Sequence, residues 1–343
     1  MYEDYVCEIK NLLIDKDMWD DSYTILPNSK NGGQSLCFFV RNKKNKPLYI
    51  AKYFDYLKDL NHATNIVGID DCENVEEYLE KIEESPIPFN IDEINEVVYY
   101  LKRSFLRYIE VTKDDVGIFP KVYGYVESIK INNSFYGLLV EQAINGITLQ
   151  EKMNNIIMDG NENINFGIRA LKDIGKAIEL LNSKGYVHRD LSPDNIMIDE
   201  NNKFVIIDPG TIKIINRDTT NLGYILGKRT YASPEQYQGN AVLANFTSDL
   251  YSLGIIIFQI ITGINLLVDY IKKDQSNPHA LICKELDRDI ENTFFNYCDD
   301  SQEKNMLLFS ILKKLLQVDK TLRFSDIKSF VDAINILKEG END

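Results

Sequence analysis

The sequence predicts an α+β fold with a smaller, β-rich N-terminal lobe and a larger, helical C-terminal lobe. Runs of β-branched and aromatic residues recur between residues 23 and 141, whereas the long stretches that follow carry apolar residues three or four apart. Strands followed by helices are typical of α+β folds. With 343 residues, 44% of them hydrophobic and 27% charged, the chain is long enough for one bilobal domain with additions.

The first strands predict a hairpin. Residues 1–22 mix polar and apolar side chains and can form a helix that leads into the domain. Two β-rich runs, 23–26 and 36–40, then flank a polar segment that contains Gly32 and Gly33. Glycine lets backbone N–H groups approach a phosphate closely, so this turn is also a candidate phosphate contact.

The next strand, residues 47–54, carries a single lysine, Lys52, among apolar residues. An acidic stretch at 55–90 follows, with a predicted helix at 74–84 and a proline-containing break at 85–88. We interpret this stretch as an insertion into the smaller lobe. A longer helix comes after it, because apolar residues recur on one stripe, namely Ile91, Ile94, Val98, Leu101, Phe105 and Tyr108.

Two more strands are predicted at 121–129 and 135–141, and the pattern then becomes helical. A buried helix is expected from the stripe Ile164, Ile168, Leu171, Ile174, Ile178 and Leu181. The segment 250–268 has no charge over nineteen residues, which suits a bilayer helix. Gln259 and Asn265 interrupt it, however, and Ser248 and Asp249 are typical of a helix start. We therefore favour a buried soluble helix, with a membrane span as the alternative.

One loop carries the chemistry around which the chain is organised. Asp190 and Asn195 stand five positions apart, and Asp208 follows thirteen positions later, after an apolar strand. Such a set can gather a base and two metal ligands around one phosphate chain. Phosphoryl transfer moves a group of high negative charge, so positioning and charge neutralisation matter more than covalent chemistry. The pattern therefore indicates phosphoryl transfer.

These residues resemble the eukaryotic-like serine/threonine protein kinases of bacterial type, in which a His-Arg-Asp loop and an Asp-Phe-Gly loop hold the catalytic groups. Here the two loops are residues 188–190 and 208–210. The segment 231–237 resembles the family's closing Ala-Pro-Glu motif, and 312–323 resembles a late motif whose arginine pairs with that glutamate. Residues 249–254 resemble the family's buried central helix. Five motifs thus occur in the family's order.

The resemblance implies a bilobal protein-kinase-like fold. Its smaller, β-rich N-lobe would span 23–141, with the inserted helical segment at about 55–90, and its larger α-helical C-lobe would span 142–335. Residues 1–22 would be an N-terminal extension and 336–343 a tail. The motifs also imply that Glu235 and Arg323 form a largely buried, bidentate ion pair.

The resemblance further implies the roles of the candidate residues in using ATP and Mg²⁺. Asp190 would accept or orient the proton of the substrate hydroxyl, and Asn195 and Asp208 would hold Mg²⁺. Lys52 would neutralise the α- and β-phosphates. The helix after the insertion should supply the acid that pairs with Lys52; Glu96 is our choice, with Glu93 and Glu110 as alternatives.

The nucleotide contacts implied for the rest of the small lobe are Gly32 and Gly33 over the phosphates and the backbone of Gln142 and Ile144 at the adenine. His188 is expected to be structural rather than a base. Arg189 resembles the arginine of family members whose activation segment is ordered by phosphorylation. We expect that phosphate at Thr219 or Thr220; a competing hypothesis is that Pro209 fixes the loop so that no phosphate is needed.

The sequence departs from the family pattern at several positions. Ser192 stands where serine/threonine-specific members usually have Lys, Lys228 where a Thr is usual, and Pro209 where Phe is usual. In the glycine loop, Lys30 and Ser35 stand where the first and third glycines usually fall. Neither a metal ligand nor the catalytic acid is lost.

Composition bears on partners and location. A net charge of −15 disfavours binding to nucleic acid or to anionic membranes, both of which attract basic patches. The five cysteines are scattered and show no CxxC spacing, which indicates a reduced, cytoplasmic protein without structural zinc. The acidic N-terminal residues do not resemble a signal peptide. The acidic charge would attract a basic segment of a protein substrate, and the resemblance implies ATP as the other partner.

The function expected from the sequence is ATP-dependent transfer of the γ-phosphate to Ser or Thr hydroxyls of proteins. One alternative is a pseudokinase that binds nucleotide or protein without catalysis, as Pro209 and the thinned glycine loop suggest. Another is a small-molecule kinase of the aminoglycoside or choline type, whose loop also carries a His-x-Asp followed by an Asn. The segments 233–235 and 249–254 favour the protein-kinase branch.

Overall fold

The computed structural model describes residues 2–28, 35–58, 60, 69, 72–86, 90–113, 117–155, 160–215, 227–299 and 302–337. The chain divides into two compact units, Met1–Asn145 and Gly146–Asp343. This division lies a few residues beyond the boundary expected between residues 141 and 142.

The first unit is built on a five-stranded antiparallel sheet in the order β1-β2-β3-β5-β4. Its strands are β1 (Thr24–Pro27), β2 (Ser35–Arg41), β3 (Pro47–Asp55), β4 (Val122–Ile131) and β5 (Ser134–Gln142). Each strand expected before residue 142 is present, with its ends within two residues of the expected positions. The N-terminal segment forms helix α1 (Tyr2–Asp15), which buries Tyr5, Ile9, Leu12 and Leu13. The Tyr5 hydroxyl bonds that of Tyr136 on β5 at 2.9 Å, so α1 is fastened to the sheet.

Two further helices lie in the described part of the first unit. Helix α2 (Val75–Glu83) lies in the predicted insertion, and the side chain of Asn74 caps it by accepting the N–H of Glu77. Helix α3 (Ile91–Lys113) is the long helix expected from the apolar stripe. Tyr78 and Ile82 of α2 belong to the same buried cluster as Val98 and Phe105 of α3, so the insertion enlarges the core of this unit.

The second unit is mainly helical. Its helices are α4 (Leu149–Asn154), α5 (Gly160–Ser183), α6 (Pro234–Tyr237), α7 (Phe246–Thr262), α8 (Leu266–Lys273), α9 (Pro278–Glu285), α10 (Glu291–Phe295), α11 (Glu303–Leu315) and α12 (Ile327–Asn335). Two small antiparallel sheets flank the loops that carry Asp190 and Asp208. Their strands are β6 (Gly146–Thr148), β7 (Tyr186–Val187), β8 (Ile196–Asp199), β9 (Phe204–Ile206) and β10 (Lys213–Ile214). One sheet has the order β6-β8-β9, and the other pairs β10 with β7.

Helix α7 is almost wholly buried, as expected of the uncharged segment. It begins earlier than predicted, because Asn245 rather than Ser248 is the N-cap; Ser248 instead closes a capping box by bonding back to the N–H of Asn245. Among the described residues, no single helix is long and apolar enough to cross a membrane. Helices α7 and α8 pass that test together only as a pair bent by 101°.

Candidate active site

The loop between β7 and β8 holds Asp190 with two hydrogen-bond donors. The backbone N–H of Lys228 donates to Oδ1 of Asp190 at 2.9 Å, and Nδ2 of Asn195 donates to Oδ2 at the same distance. A carboxylate has about four acceptor positions, so both oxygens can still accept a further donor. Burial raises the pKa of Asp190 to about 6, with the nearby charge of Asp208 adding to the rise and the two donors opposing it. Asp190 is therefore held in a fixed orientation with room on its carboxylate for a further donor.

The residues before Asp190 anchor the loop to helix α7. Both oxygens of Asp249, in the first turn of α7, accept backbone N–H groups, those of His188 and Arg189, at 2.8 Å each. Burial lowers the pKa of His188 to about 3, and its Nδ1 accepts the N–H of Asp190. His188 is thus neutral and structural, as predicted. Asp249 was known from the sequence only as part of a helix start, and its role required the tertiary structure.

Arg189 is hydrogen-bonded to the segment that follows Asp208. Its side chain is buried, and Nε donates to the carbonyl of Thr211 at 2.7 Å. The hydroxyl of Thr211 in turn donates to the carbonyl of His188 at 3.0 Å. Thr211 therefore ties the segment after Asp208 to the loop that carries Asp190. The candidate phosphorylation positions Thr219 and Thr220 lie outside the described residues.

Asp208 and Asn195 are brought to the same end of one hairpin. Strands β8 and β9 pair with Ile196 opposite Ile206, and the N–H of Ile207 donates to the carbonyl of Asn195 at 2.9 Å. Asp208 has a left-handed backbone, with φ of 63°, and accepts the N–H of Gly210 across a short 3₁₀ turn that begins at Pro209. Proline is favoured at the first position of such a turn, so Pro209 stabilises this loop rather than breaking it.

The pair fits a magnesium ion by the chemistry of its donors. Carboxylate and amide oxygens suit Mg²⁺, which usually takes one or two protein ligands together with phosphate and water. Nδ2 of Asn195 is bonded to Asp190, and its Oδ1 accepts no hydrogen bond from a described residue. No group of three or more His, Cys, Asp and Glu residues that could hold a metal occurs in the described part of the chain. Asn195 and Asp208 are thus suited to a metal that a phosphate chain also binds.

In the first unit, Lys52 pairs with a different acid from the one expected. Its Nζ lies 2.7 Å from Oε1 of Glu141 and donates to the hydroxyl of Tyr108 at 2.8 Å. That hydroxyl donates to Oε2 of Glu141 at 2.6 Å, which closes a buried triangle. The side chains of Lys52 and Glu141 are only 11% and 2% exposed. Lys52 is therefore a paired, buried ammonium, held by a strand glutamate and a helix tyrosine.

The register of the sheet explains the pair. Lys52 on β3 lies opposite Leu139 on β5, and Ile50 lies opposite Glu141. Because residues two apart on a strand share a face, Glu141 is the diagonal neighbour of Lys52 on the same face. The signal in the sequence was a single carboxylate at the end of the apolar run 135–140.

The glutamates expected from helix α3 lie elsewhere. Tyr108 is the α3 residue that reaches Lys52, and Glu96 precedes it by twelve positions, roughly 18 Å along a helix at 1.5 Å per residue. Glu96, Glu93 and Glu110 are all exposed. The expectation that α3 supplies the partner acid of Lys52 was therefore wrong.

The remaining nucleotide candidates are only partly described. Gly32 and Gly33, together with Lys30, lie outside the described residues. The N–H of Gln142 donates to the carbonyl of Lys121 at 2.8 Å, so it is used within the first unit. The N–H of Ile144 donates to no described residue, which leaves it suited to an adenine. The roles of Gln142 and Ile144 stay predictions.

The expected ion pair between Glu235 and Arg323 is present. Nη1 and Nη2 of Arg323 donate to the two carboxylate oxygens of Glu235 at 3.0 and 3.1 Å. The arginine side chain is fully buried, and its remaining donors reach the carbonyls of Gln317, Thr247 and Val318. Burial alone would raise the pKa of Glu235, but the guanidinium outweighs it and holds the pKa below its usual value. The bidentate prediction is confirmed.

Comparison with known proteins matches the chain to a family model and to several protein kinases of bacteria. The family model described as "Protein kinase domain" matches residues 101–335, well over half of the chain. The chain is 29% identical over 164 residues to "Serine/threonine-protein kinase PknB" of Mycolicibacterium smegmatis, which covers 43% of this chain and 25% of that protein. It is 30% identical over 144 residues to "Serine/threonine-protein kinase PknA" of Mycobacterium tuberculosis, which covers 41% of this chain and 32% of that protein.

A third relative is "Probable serine/threonine-protein kinase pknA2" of Bifidobacterium longum, at 28% identity over 169 residues, with 48% of this chain and 21% of that protein covered. The matches thus span between a fifth and a third of the length of these relatives. The family match begins inside α3, so Lys52 lies before it, whereas Asp190, Asn195 and Asp208 lie within it.

Proposed function

The chain belongs to the protein kinase family, and from this premise we propose that it transfers the γ-phosphate of ATP to Ser or Thr hydroxyls of protein substrates. The observation that carries the proposal is the Asp190 carboxylate, oriented by one donor on each oxygen. Relatives whose printed names are serine/threonine-protein kinases support the choice of acceptor.

The chemistry assigns one task to each group. Asp190 accepts the proton of the substrate hydroxyl as the hydroxyl oxygen forms the new bond to the γ-phosphorus. The bond from that phosphorus to the bridging oxygen breaks, and ADP leaves. Asn195 keeps Asp190 oriented through its amide and offers its carbonyl oxygen, with Asp208, to Mg²⁺. When bound, Mg²⁺ neutralises the charge of the phosphates.

Lys52 is the cation that the first unit offers to the nucleotide phosphates. Within the first unit, Glu141 and Tyr108 hold this buried ammonium in a fixed position, and a fixed cation suits the α- and β-phosphates. We also propose that the protein acts in the reducing cytoplasm, which its five free cysteines support, and that basic peptides are preferred over nucleic acid or membranes because of the net charge of −15.

The test is the fate of labelled phosphate. The purified chain is incubated with Mg²⁺ and ATP labelled at the γ-position, in separate reactions with a basic Ser/Thr peptide, with the same peptide in which Ala replaces Ser and Thr, and with an aminoglycoside or choline. We expect label on the Ser/Thr peptide and not on its Ala counterpart. Label on the small molecule would instead establish a small-molecule kinase, and transfer to no acceptor would establish a pseudokinase.

A further inference from the structure

Two departures from the family pattern lie near Asp190, one in the sequence and one in the structure. Ser192, two positions after Asp190, stands where a lysine is usual, and Lys228 stands where a threonine is usual. Ser192 is 1% exposed, and its hydroxyl makes no hydrogen bond within the described residues. The loop therefore carries no cation at the position where serine/threonine-specific members of the family usually have a lysine.

Lys228, which lies 38 positions after Asp190, places a cation beside the same loop. Its backbone N–H donates to Oδ1 of Asp190 at 2.9 Å, and its ammonium pairs with the carboxylate of Asp194. The positive charge is close enough to act on the Asp190 carboxylate. Because the Lys228 side chain is 52% exposed, its ammonium can exchange Asp194 for a phosphate oxygen without uncovering buried charge.

The backbone on either side fixes Lys228 in this place. Gly227 has φ of +88°, and a Cβ there would lie 2.5 Å from the carbonyl oxygen of Arg189. The chain can therefore pass this close to the loop only as glycine. Nine residues later, Nε2 of Gln236 donates to the same carbonyl at 2.6 Å. The segment that carries Lys228 is thus held against the catalytic loop at both ends.

From this arrangement we infer that Lys228 is a catalytic residue, whose ammonium neutralises the negative charge on the transferred phosphoryl group in place of the cation missing at Ser192. The inference rests on the proposed function and adds to it. As the bond to the leaving ADP lengthens, charge spreads over the phosphoryl oxygens, and a cation beside the acceptor stabilises that distribution. On this inference, the lysine at position 228 supplies the positive charge that is absent at position 192.

A reciprocal exchange tests this inference. The variants are Lys228→Thr, Lys228→Arg, Ser192→Lys and the double variant Ser192→Lys/Lys228→Thr. In Lys228→Thr we expect kcat to fall by about a hundredfold, as when one group that stabilises transition-state charge is removed, with KM for ATP nearly unchanged. Lys228→Arg retains most of the rate because it keeps the charge. The double variant recovers at least about tenfold over Lys228→Thr because it restores a cation at the usual position.

Lys272→Met is the matched control, since Lys272 is also an exposed lysine of the second unit paired with an aspartate, Asp269. It should have wild-type kcat. A Lys228→Thr variant with wild-type kcat would overturn the inference while the proposed function stands. Equal losses in Lys228→Thr and Lys228→Arg, accompanied by a lowered Tm, would also overturn it by showing a structural role. A wild-type protein that transfers no phosphate refutes the proposed function itself.

Discussion

Nζ of Lys52 and Oε1 of Glu141 lie 2.7 Å apart on one face of the sheet, and the hydroxyl of Tyr108 is bonded to both residues. The acid therefore comes from a strand hydrogen-bonded to the strand of the lysine, and helix α3 contributes a neutral hydroxyl. Since β3 and β5 are paired over seven residues, from Tyr49 to Asp55, the sheet itself fixes the distance between the two charges. The position of the Lys52 ammonium does not depend on a carboxylate from α3.

The first prediction concerns this pair. Glu141→Gln preserves the shape of the side chain but removes the negative charge that lies 2.7 Å from the buried Lys52 ammonium. Breaking a buried pair typically costs roughly 3–5 kcal/mol. We expect a lower midpoint of denaturant unfolding and a fall of at least about tenfold in kcat/KM for ATP, which corresponds to ~1.4 kcal/mol. Stability and kinetics are measured on the same preparation.

Glu96→Gln is the control for this prediction, because Glu96 is the exposed glutamate that the sequence favoured as the partner of Lys52. It should change neither quantity appreciably. The reverse outcome, with Glu96→Gln impaired and Glu141→Gln normal, would show that a carboxylate of α3 acts on Lys52 in the working protein.

The second prediction concerns pH. The Arg323 guanidinium holds the pKa of Glu235 below its unfolded value, so this pair contributes stability that is complete above the unfolded pKa of about 4.3. The contribution is lost as the pH falls through the lower, folded pKa. In Glu235→Gln this dependence is absent. The difference in unfolding free energy between wild type and variant should therefore be large at neutral pH and shrink in acid.

Urea unfolding across this pH range measures that difference. A difference that stays constant from neutral to acidic pH would contradict the assignment of the stabilisation to an ionised Glu235. At neutral pH, Arg323→Met should be at least as unstable as Glu235→Gln, because it leaves a buried carboxylate without its partner, at a cost of roughly 3–5 kcal/mol.

The third prediction uses two glycines with similar backbones. Gly227 and Gly185 have φ of +88° and +74°, so alanine is strained at both positions. A Cβ at Gly185 meets nothing within 4 Å, whereas one at Gly227 meets the carbonyl of Arg189 at 2.5 Å. Gly185→Ala should cost only the left-handed strain, roughly 1–2 kcal/mol, and keep its kcat. Gly227→Ala should also lose kcat, since it displaces the N–H of Lys228 from Asp190.

Thermal unfolding and phosphate transfer of the two alanine variants, measured side by side, separate strain from displacement. Matching kcat values in Gly227→Ala and Gly185→Ala would show that the contact between Lys228 and Asp190 does not orient the catalytic carboxylate.

The sequence was most informative where one segment carries the whole signal. Runs of β-branched and aromatic residues located the five strands, and the stripe from Ile91 to Tyr108 located α3. Asn195 and Asp208 are close because they lie at the same end of the short hairpin formed by β8 and β9. The pair of Glu235 and Arg323 was predicted from two motifs that pair in the family.

It was least informative where distant segments had to be aligned. The partner of Lys52 depends on the register between β3 and β5, which lie more than eighty residues apart along the chain, and a one-residue slip would turn Glu141 to the other face. The contact of Lys228 with Asp190 spans 38 positions and depends on the close approach of Gly227. Propensity and spacing do not encode either relationship.

The most direct test of the account is Asp190→Asn. The amide keeps the size of the side chain but cannot accept the substrate proton as the carboxylate does, so transfer to a Ser/Thr peptide should fall by about 10²–10⁴-fold. Tm and the affinity for ATP should stay close to those of the wild type, because the carboxylate acts on the acceptor rather than on the bound nucleotide. An Asp190→Asn variant that transfers phosphate at the wild-type rate would contradict the assignment of Asp190 as the catalytic base.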